Sequence, residues 1–572
     1  MHPRSEGLSR RELFALAAAA TPLTAARLHA RPAAGASQRR PAEALAAIDA
    51  YVARHVRERG APGLVLALAD DAGWRRISVT GADPVDGRTL DAGALFQIGS
   101  LSKLFVAIAA VQAAEEGLLD LDRPVRHLLP WLRIDSVYQP VTAHHLLTHT
   151  AGLPRDTPML PLDPARPLWT AHAPGSAFSY SNLGYEILGH LLSRVERRSL
   201  GDVLRRRVLE PLGMDASEPV ITSGIRGRFP PSYTPLHDDR PFPRHGPLSR
   251  ATPVTSDGGA GCVAATAADM CGFLRMLLRR GALDRGRLLS EKGFERITRS
   301  WIATGAPGDG VAYGYGVIVD RSRERDGSSP VLRHTGGMVS FSSALWADLE
   351  AGVAAFAAVP ASLFGYRPLA PAAWAVDCLA AVAQGADLPP APPPDDPFRV
   401  ENAGDYVGVY TAEDGTRLAF GQDGDGLVVG GDGATVALER MGPDAFLADH
   451  PELALHPFEF GRRGDEVVEV AHGGRWLAGA RYEGARSFER PQEWEGLVGV
   501  YRNDSPWEGT LRVFLRKGRL WLWPRPLVPL GEHTFRVGGE ETSAERVRFD
   551  PVVDGRALRL FLSERPYLRV EG

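Results

Sequence analysis

The chain has 572 residues, too many for one hydrophobic core, so several domains are expected, each long enough to bury its own interior. Its 65 basic and 69 acidic residues leave a formal charge of -4, which provides no global positive field for a polyanion and sets nucleic acid aside as a partner. Small molecules or neutral polymers remain.

The first segment reads as an address. Ser9-Arg10-Arg11-Glu12-Leu13-Phe14 precedes an apolar, alanine-rich run to about Ala26, and Ala34-Gly35-Ala36 offers small residues for cleavage. Residues 1–36 therefore have the pattern of a twin-arginine-type signal peptide, too short to remain as an anchor of about 20 apolar residues. A periplasmic or secreted location is expected, with no integral membrane segment after signal removal. Cys262, Cys271 and Cys378 are an odd set that defines no disulfide framework, and buried free thiols are their default state.

From residue 41 to about 387 long helical patterns, Pro41–Arg59, Lys103–Glu116, Leu183–Val195 and Ala267–Arg280, mix with short β-rich runs, Leu64–Ala69 and Arg76–Val79. Phe96-Gln97-Ile98-Gly99 reads as a strand that ends at a helix start, with Ser100 at or near its cap. Ser100-Leu101-Ser102-Lys103 then places a hydroxyl and an amine one turn apart. Only three of the 65 basic residues are lysines, Lys103, Lys292 and Lys517. An ammonium can give up its proton and a guanidinium effectively cannot, so Lys103 beneath Ser100 is a candidate base for a candidate nucleophile. The spacing alone is weak, since chance supplies it in about one chain in seven.

His144, His145 and His149 tempt a metal reading, with the last two expected four apart on a helix, but no His-Glu-x-x-His accompanies them. Further on, Pro174-Gly175 forms a turn, Phe178 and Tyr180 alternate as in an extended segment, and Ser181 or Asn182 can cap the next helix. Alternation sends Tyr180 and Asn182 to one side. A phenol beside a lysine cation is a candidate proton carrier. Val331 to Phe341 reads as a strand running into Gly336-Gly337, where absent side chains let a ligand lie against the backbone.

Leu388–Phe398, with its clustered prolines, suits neither helix nor central strand and should be a stiff extended connector. Beyond it the pattern becomes short alternating runs broken by Gly and Asp: Leu427–Val429, Val467–Val470, Leu511–Leu515 and Leu520–Trp523. Tyr406-Val407-Gly408-Val409-Tyr410 returns as Leu497-Val498-Gly499-Val500-Tyr501, so two β domains are expected, 399–490 and 491–572. Trp521 and Trp523 are expected to line a barrel rather than to form a carbohydrate or nucleic-acid surface.

Taken together, these segments resemble the serine β-lactamase and penicillin-binding-protein family, whose motif set is Ser-x-x-Lys, Tyr-x-Asn and Lys-Thr-Gly. Here the set is Ser100-Leu-Ser-Lys103, Tyr180-Ser-Asn182 and His334-Thr335-Gly336. Leu146-Leu147-Thr148-His149-Thr150-Ala151-Gly152-Leu153 and Tyr313-Gly314-Tyr315-Gly316 are similar to stretches of its esterase and small-peptidase branch. The resemblance implies an α+β fold: an antiparallel sheet flanked by helices over 41–387, the connector 388–398, and two small lipocalin-like β-barrels.

It also implies roles. Ser100 would form an acyl-enzyme, Lys103 would assist its activation, and Tyr180 would shuttle the proton to the leaving group. Asn182, His334, Thr335 and Gly336 would bind substrate, and the backbone N–H groups of Ser100 and Gly337, the latter on an edge strand, would form the oxyanion hole. The cycle needs no metal or organic cofactor.

His334 departs from the pattern, because lysine is a permanent cation for a substrate carboxylate and imidazole is mostly neutral at pH 7. The expected function is therefore an exported serine hydrolase of esters or small amides, with D-residue peptides, peptidoglycan-derived ones included, as the leading amide substrates. In relatives with this domain layout a β-domain loop limits substrate size. The alternatives are a β-lactamase or D-Ala-D-Ala carboxypeptidase, and a non-catalytic cell-wall or peptide binder that kept the fold.

Overall fold

The computed structural model describes residues 40–160, 163, 165–306, 310–323, 329–362, 366, 368–431 and 434–570, and the expected signal peptide lies outside these described residues. The chain forms two compact units. One runs through Thr234 and resumes from Leu248 to Pro393, and the other combines Pro235–Pro247 with the chain from Pro394 onward.

The first unit is built on an antiparallel sheet of eight strands: β1 (Leu64–Asp70), β2 (Arg75–Thr80), β3 (Ile302–Ala303), β4 (Val311–Tyr313), β5 (Ile318–Asp320), β6 (Val331–Gly337), β7 (Ser342–Asp348) and β8 (Val353–Val359). Their spatial order is β2-β1-β8-β7-β6-β5-β4-β3. β1 and β8 are almost wholly apolar, and they and β7 are buried along almost their whole length instead of alternating, because helices cover both faces of the sheet. Helices α1 (Arg40–Arg59) and α6 (Leu369–Ala383) pack on one face, with the rings of Tyr51 and Trp374 4.9 Å apart. On the other lies α5 (Ala267–Leu278).

α2 (Ser102–Glu115) is apolar on every side and buried from Ser102 to Val111, as expected of a helix enclosed by others. Its Phe105 stacks on Phe273 of α5 at 4.2 Å. Two further helices complete the frame for the site, the short α3 (Ala143–Leu147) and α4 (Asn182–Glu196). The proline-rich connector has no regular structure, and its carbonyls are nonetheless used: that of Pro390 accepts from Trp374 Nε1 at 3.2 Å, and that of Pro392 from Arg54.

The second unit contains two closed eight-stranded antiparallel barrels, the first from Gly408 to Ala478 and the second from Gly499 to Val570. Aromatic side chains fill the first, among them Tyr406, Phe420, Phe446, Phe458 and Phe460. Tyr501, Phe535, Phe549 and Tyr567 do the same in the second. The repeated pentapeptide has the same job in each copy: Tyr410 Oη donates to Tyr406 O at 3.0 Å, and Tyr501 Oη to Leu497 O at 2.7 Å.

The expectation for Trp521 is corrected. Leu520 and Leu522 enter the barrel interior, so the two-residue period turns the intervening Trp521 outward, where Arg516 lies 4.7 Å from its ring. Residues 235–247 are held within this unit by charge. Arg244 N–H donates to both carboxylate oxygens of Glu439 at 2.9 and 3.0 Å, and Arg512 pairs with Asp239 at 3.1 Å.

Candidate active site

Ser100 sits in a 3₁₀ turn, Gly99–Leu101, between the short strand Phe96–Gln97 and α2. It does not cap the helix through its side chain; the N-cap position is Leu101, which makes no side-chain cap bond. Gly99 has φ +53°, a left-handed conformation that favours glycine. A methyl group there would lie 2.7 Å from Gly337 N, and one on Gly336 would overlap the carbonyl oxygen of Ile98. The turn and β6 thus meet backbone to backbone, with Ser343 Oγ donating to Ile98 O at 2.8 Å. That approach sets the Gly337 amide beside the Gly99–Ser100 turn.

β6 is not an edge strand as a whole. It lies between β5 and β7, but β5 pairs only with Val331, Leu332 and Arg333, which leaves His334 to Gly337 without a β5 partner. The edge expected at Gly337 is local, created by a short neighbour.

Lys103 is fully buried. Its Nζ donates to Ser100 Oγ at 3.0 Å, Asn182 Oδ1 at 2.8 Å and the carbonyl of Ala260 at 2.8 Å. Three acceptors match the three N–H donors of an ammonium, which is what burying it requires. Asn182 is the first residue of α4, and Ser181 is its N-cap, accepting from Gly184 N–H at 3.1 Å. The Asn182 amide spans the site, since Nδ2 donates to Asp156 Oδ1 at 2.6 Å. Tyr180, just before the cap, faces the same cation, with Lys103 Nζ 5.0 Å from its ring centroid. Arg155 lies 5.2 Å from that ring and pairs with Asp156 at 3.4 Å.

His334 is buried on β6. Its Nδ1 is 2.7 Å from the carbonyl of Thr335, which can only accept, so Nδ1 carries the proton and Nε2 accepts from Tyr313 Oη at 3.1 Å. Burial, then Lys103, pushes its pKa down to about 3. The imidazole is a neutral, doubly bonded group and no cation at neutral pH, as its departure from lysine implied.

The other histidines have separate structural roles. α3 ends at Leu147, so His145 and His149 do not share a helix. His145 completes a capping box with Thr142, and His144 Nδ1 bonds Tyr315 Oη at 2.7 Å. His149 adopts φ +57° and accepts from the Ser181 N–H at 3.1 Å.

Several contributors were not singled out from sequence. Ala260 belongs to Gly258-Gly259-Ala260-Gly261, a glycine-rich run that could have signalled close backbone packing; a methyl group on Gly258 or Gly259 would overlap Glu186 or the Tyr185 carbonyl. Glu186 Oε1 accepts the Ala260 N–H at 3.2 Å, and burial raises its carboxyl pKa. Tyr313 and Gly316 lie in the Tyr-Gly-Tyr-Gly stretch, whose second glycine, at φ +73°, leaves no room for a side chain, since a methyl would be 2.6 Å from Lys103 O. Asp156 had no sequence signal beyond its charge.

Residues 48–379 match the family model described as Beta-lactamase, more than half of the chain. The chain belongs to the Beta-lactamase family. Among family relatives, an uncharacterized protein of Mycobacterium tuberculosis is 28% identical over 320 residues, covering 47% of this chain and 78% of its own. Esterase EstB of Burkholderia gladioli is 32% identical over 226 residues, covering 35% of this chain and 56% of its own. The octameric penicillin-binding protein homologue from Pyrococcus abyssi shares the fold, with TM-score 0.53 and 21% identity over 76% of this chain and 99% of that one. The family assignment makes this a serine β-lactamase-family hydrolase with esterase and penicillin-binding relatives.

Proposed function

We propose that this chain is an exported serine hydrolase that cleaves esters or small amides through an acyl-enzyme on Ser100. The observation that carries the reading is Lys103 Nζ, fully buried and 3.0 Å from Ser100 Oγ, with its other two donors directed to Asn182 and Ala260. In the cycle, Ser100 Oγ attacks the substrate carbonyl, the C–O or C–N bond breaks, and the proton of Ser100 passes through Tyr180 to the leaving group. Water then cleaves the acyl ester and restores Ser100. The N–H groups of Ser100 and Gly337 receive the oxyanion, an interaction strongest in the transition state. Asn182 and the strand His334-Thr335-Gly336 hold the acyl group.

The neutral His334–Tyr313 pair favours substrates without a carboxylate at that position, hence esters and small amides, D-residue peptides included, over penicillins or D-Ala-D-Ala peptides. Export through residues 1–36 is part of the proposal, and among the described residues no helix is long and apolar enough to cross a membrane. A fluorophosphonate probe should label the parent protein and not S100A. Absence of labelling, or equal labelling of both, would leave the non-catalytic binder as the reading. Rates on p-nitrophenyl esters, D- and L-aminoacyl p-nitroanilides and a chromogenic cephalosporin then select the substrate branch; fastest turnover of the cephalosporin would make it a β-lactamase.

A further inference from the structure

We propose that His149 is the positioning residue of Tyr180, holding the phenol against Lys103 by gripping the backbone on both sides of it; the inference rests on the Ser100 acyl-transfer reading. The carbonyl of His149 accepts the N–H of Ser179 at 2.8 Å, and its Nδ1 accepts the N–H of Ser181 at 3.1 Å. The two amides that flank Tyr180 therefore end on one residue. The imidazole also lies on the phenol ring, centroids 4.1 Å apart, and on Tyr313 and Tyr185 at 4.8 and 5.0 Å. Tyr313 is the residue that bonds His334, so one ring supports both aromatic partners of the site.

Two features show that packing alone does not explain a histidine here. First, φ is +57°, a left-handed conformation uncommon outside glycine that histidine adopts more readily than most side chains. Second, with Nδ1 accepting, the proton is on Nε2, and that atom is buried with no hydrogen-bond partner among the described residues. A phenylalanine would fill the same space without an orphaned N–H, and a glycine would relax the backbone. Neither has an in-plane acceptor for Ser181 N–H. Burial first, then Lys103, His334 and Arg155, drives the His149 pKa well below the usual value. The ring therefore stays uncharged beside the Lys103 cation.

The test compares H149G, which suits the backbone but lacks ring and acceptor, with H149N, whose Oδ1 can replace Nδ1 and whose residue type tolerates positive φ. The readouts are the rate of fluorophosphonate labelling at Ser100, the split of kcat and KM on a p-nitrophenyl ester, and the melting temperature. H149G should stay folded and acylate about 10²-fold more slowly, through kcat with KM little changed, as expected for a misplaced reacting group. H149N should recover most of the rate, and added imidazole should accelerate labelling of H149G. The proposal is overturned if folded H149G acylates at the parental rate, or if H149N is as slow as H149G and imidazole restores nothing. Failure of the parent itself to label would remove the acyl-transfer reading and this inference with it, a separate outcome.

Discussion

Lysine 103 and the buried histidines show how individual side chains set the chemistry and its limits. Arginine in place of Lys103 keeps the charge but has a planar fork that cannot meet Ser100, Asn182 and the Ala260 carbonyl in three directions, and it cannot release a proton. K103R should lose about 10²–10⁴-fold in acylation rate, measured as burst amplitude and rate on a p-nitrophenyl ester; near-parental turnover would refute the assigned role. The histidines predict a pH dependence of folding. His334 and His145 have folded-state pKa values pushed down to about 3 and about 4, first of all by burial, from an ordinary 6.5. The unfolded chain thus binds more protons below about 6.5, so stability is full above that value and falls as pH drops towards 3 to 4. The melting temperature should decline steadily over that window, and a flat profile from pH 7 to pH 4 would contradict the neutral, buried state.

Among the elements, the join between β6 and the Gly99–Leu101 turn governs the site. Gly336 has no space for a methyl group because Ile98 O and Ser343 Oγ occupy it. G336A should push β6 away from the turn, costing about 1–3 kcal/mol by overpacking, read from urea unfolding, and it should slow acylation more than it raises KM because Gly337 moves with the strand. A variant as stable and as fast as the parent would show that the backbones do not meet. Most elements were legible beforehand: the pattern over Pro41–Arg59 became α1, and Leu64–Ala69 became β1, each within a residue at either end. The helix expected through His145 and His149 was not, because the chain turns into positive φ at His149 to reach Ser181. Tertiary bonding there overrides local spacing.

At the scale of the whole molecule, the two barrels share one unit, and Lys517 is a peg between them. It stands with Gly518 at the tip of a hairpin of the second barrel, both residues at positive φ. Its Nζ pairs with Glu469 at 2.7 Å and lies 4.6 Å from the ring of Trp476 and 5.2 Å from that of Tyr482. Two of the three lysines thus have specific surroundings, Lys103 against the Ser100 hydroxyl and Lys517 in an aromatic cage. K517A should lower stability by about 1–2 kcal/mol, the cation–π and ion-pair contribution discounted for partial exposure, measured as a shift of the unfolding transition of the full chain; an unchanged transition would deny the cage a structural part.

Sequence by itself determined the features written in short-range pattern. The Ser100–Lys103 turn, the Tyr180–Asn182 alternation, the glycine pair after His334 and the duplicated β pentapeptide are local, since helix and strand periods alone bring those side chains to one face. Only the tertiary structure decided the rest. The Ala260 carbonyl reaches Lys103 from 157 positions away, the second hydrogen bond of His334 comes from a tyrosine on another strand, and the half-edge of β6 depends on where β5 stops. Hydrogen bonds and close packing between residues far apart in the chain leave no periodic mark in it, so the candidate reacting groups could be named in advance and their burial and precise support could not.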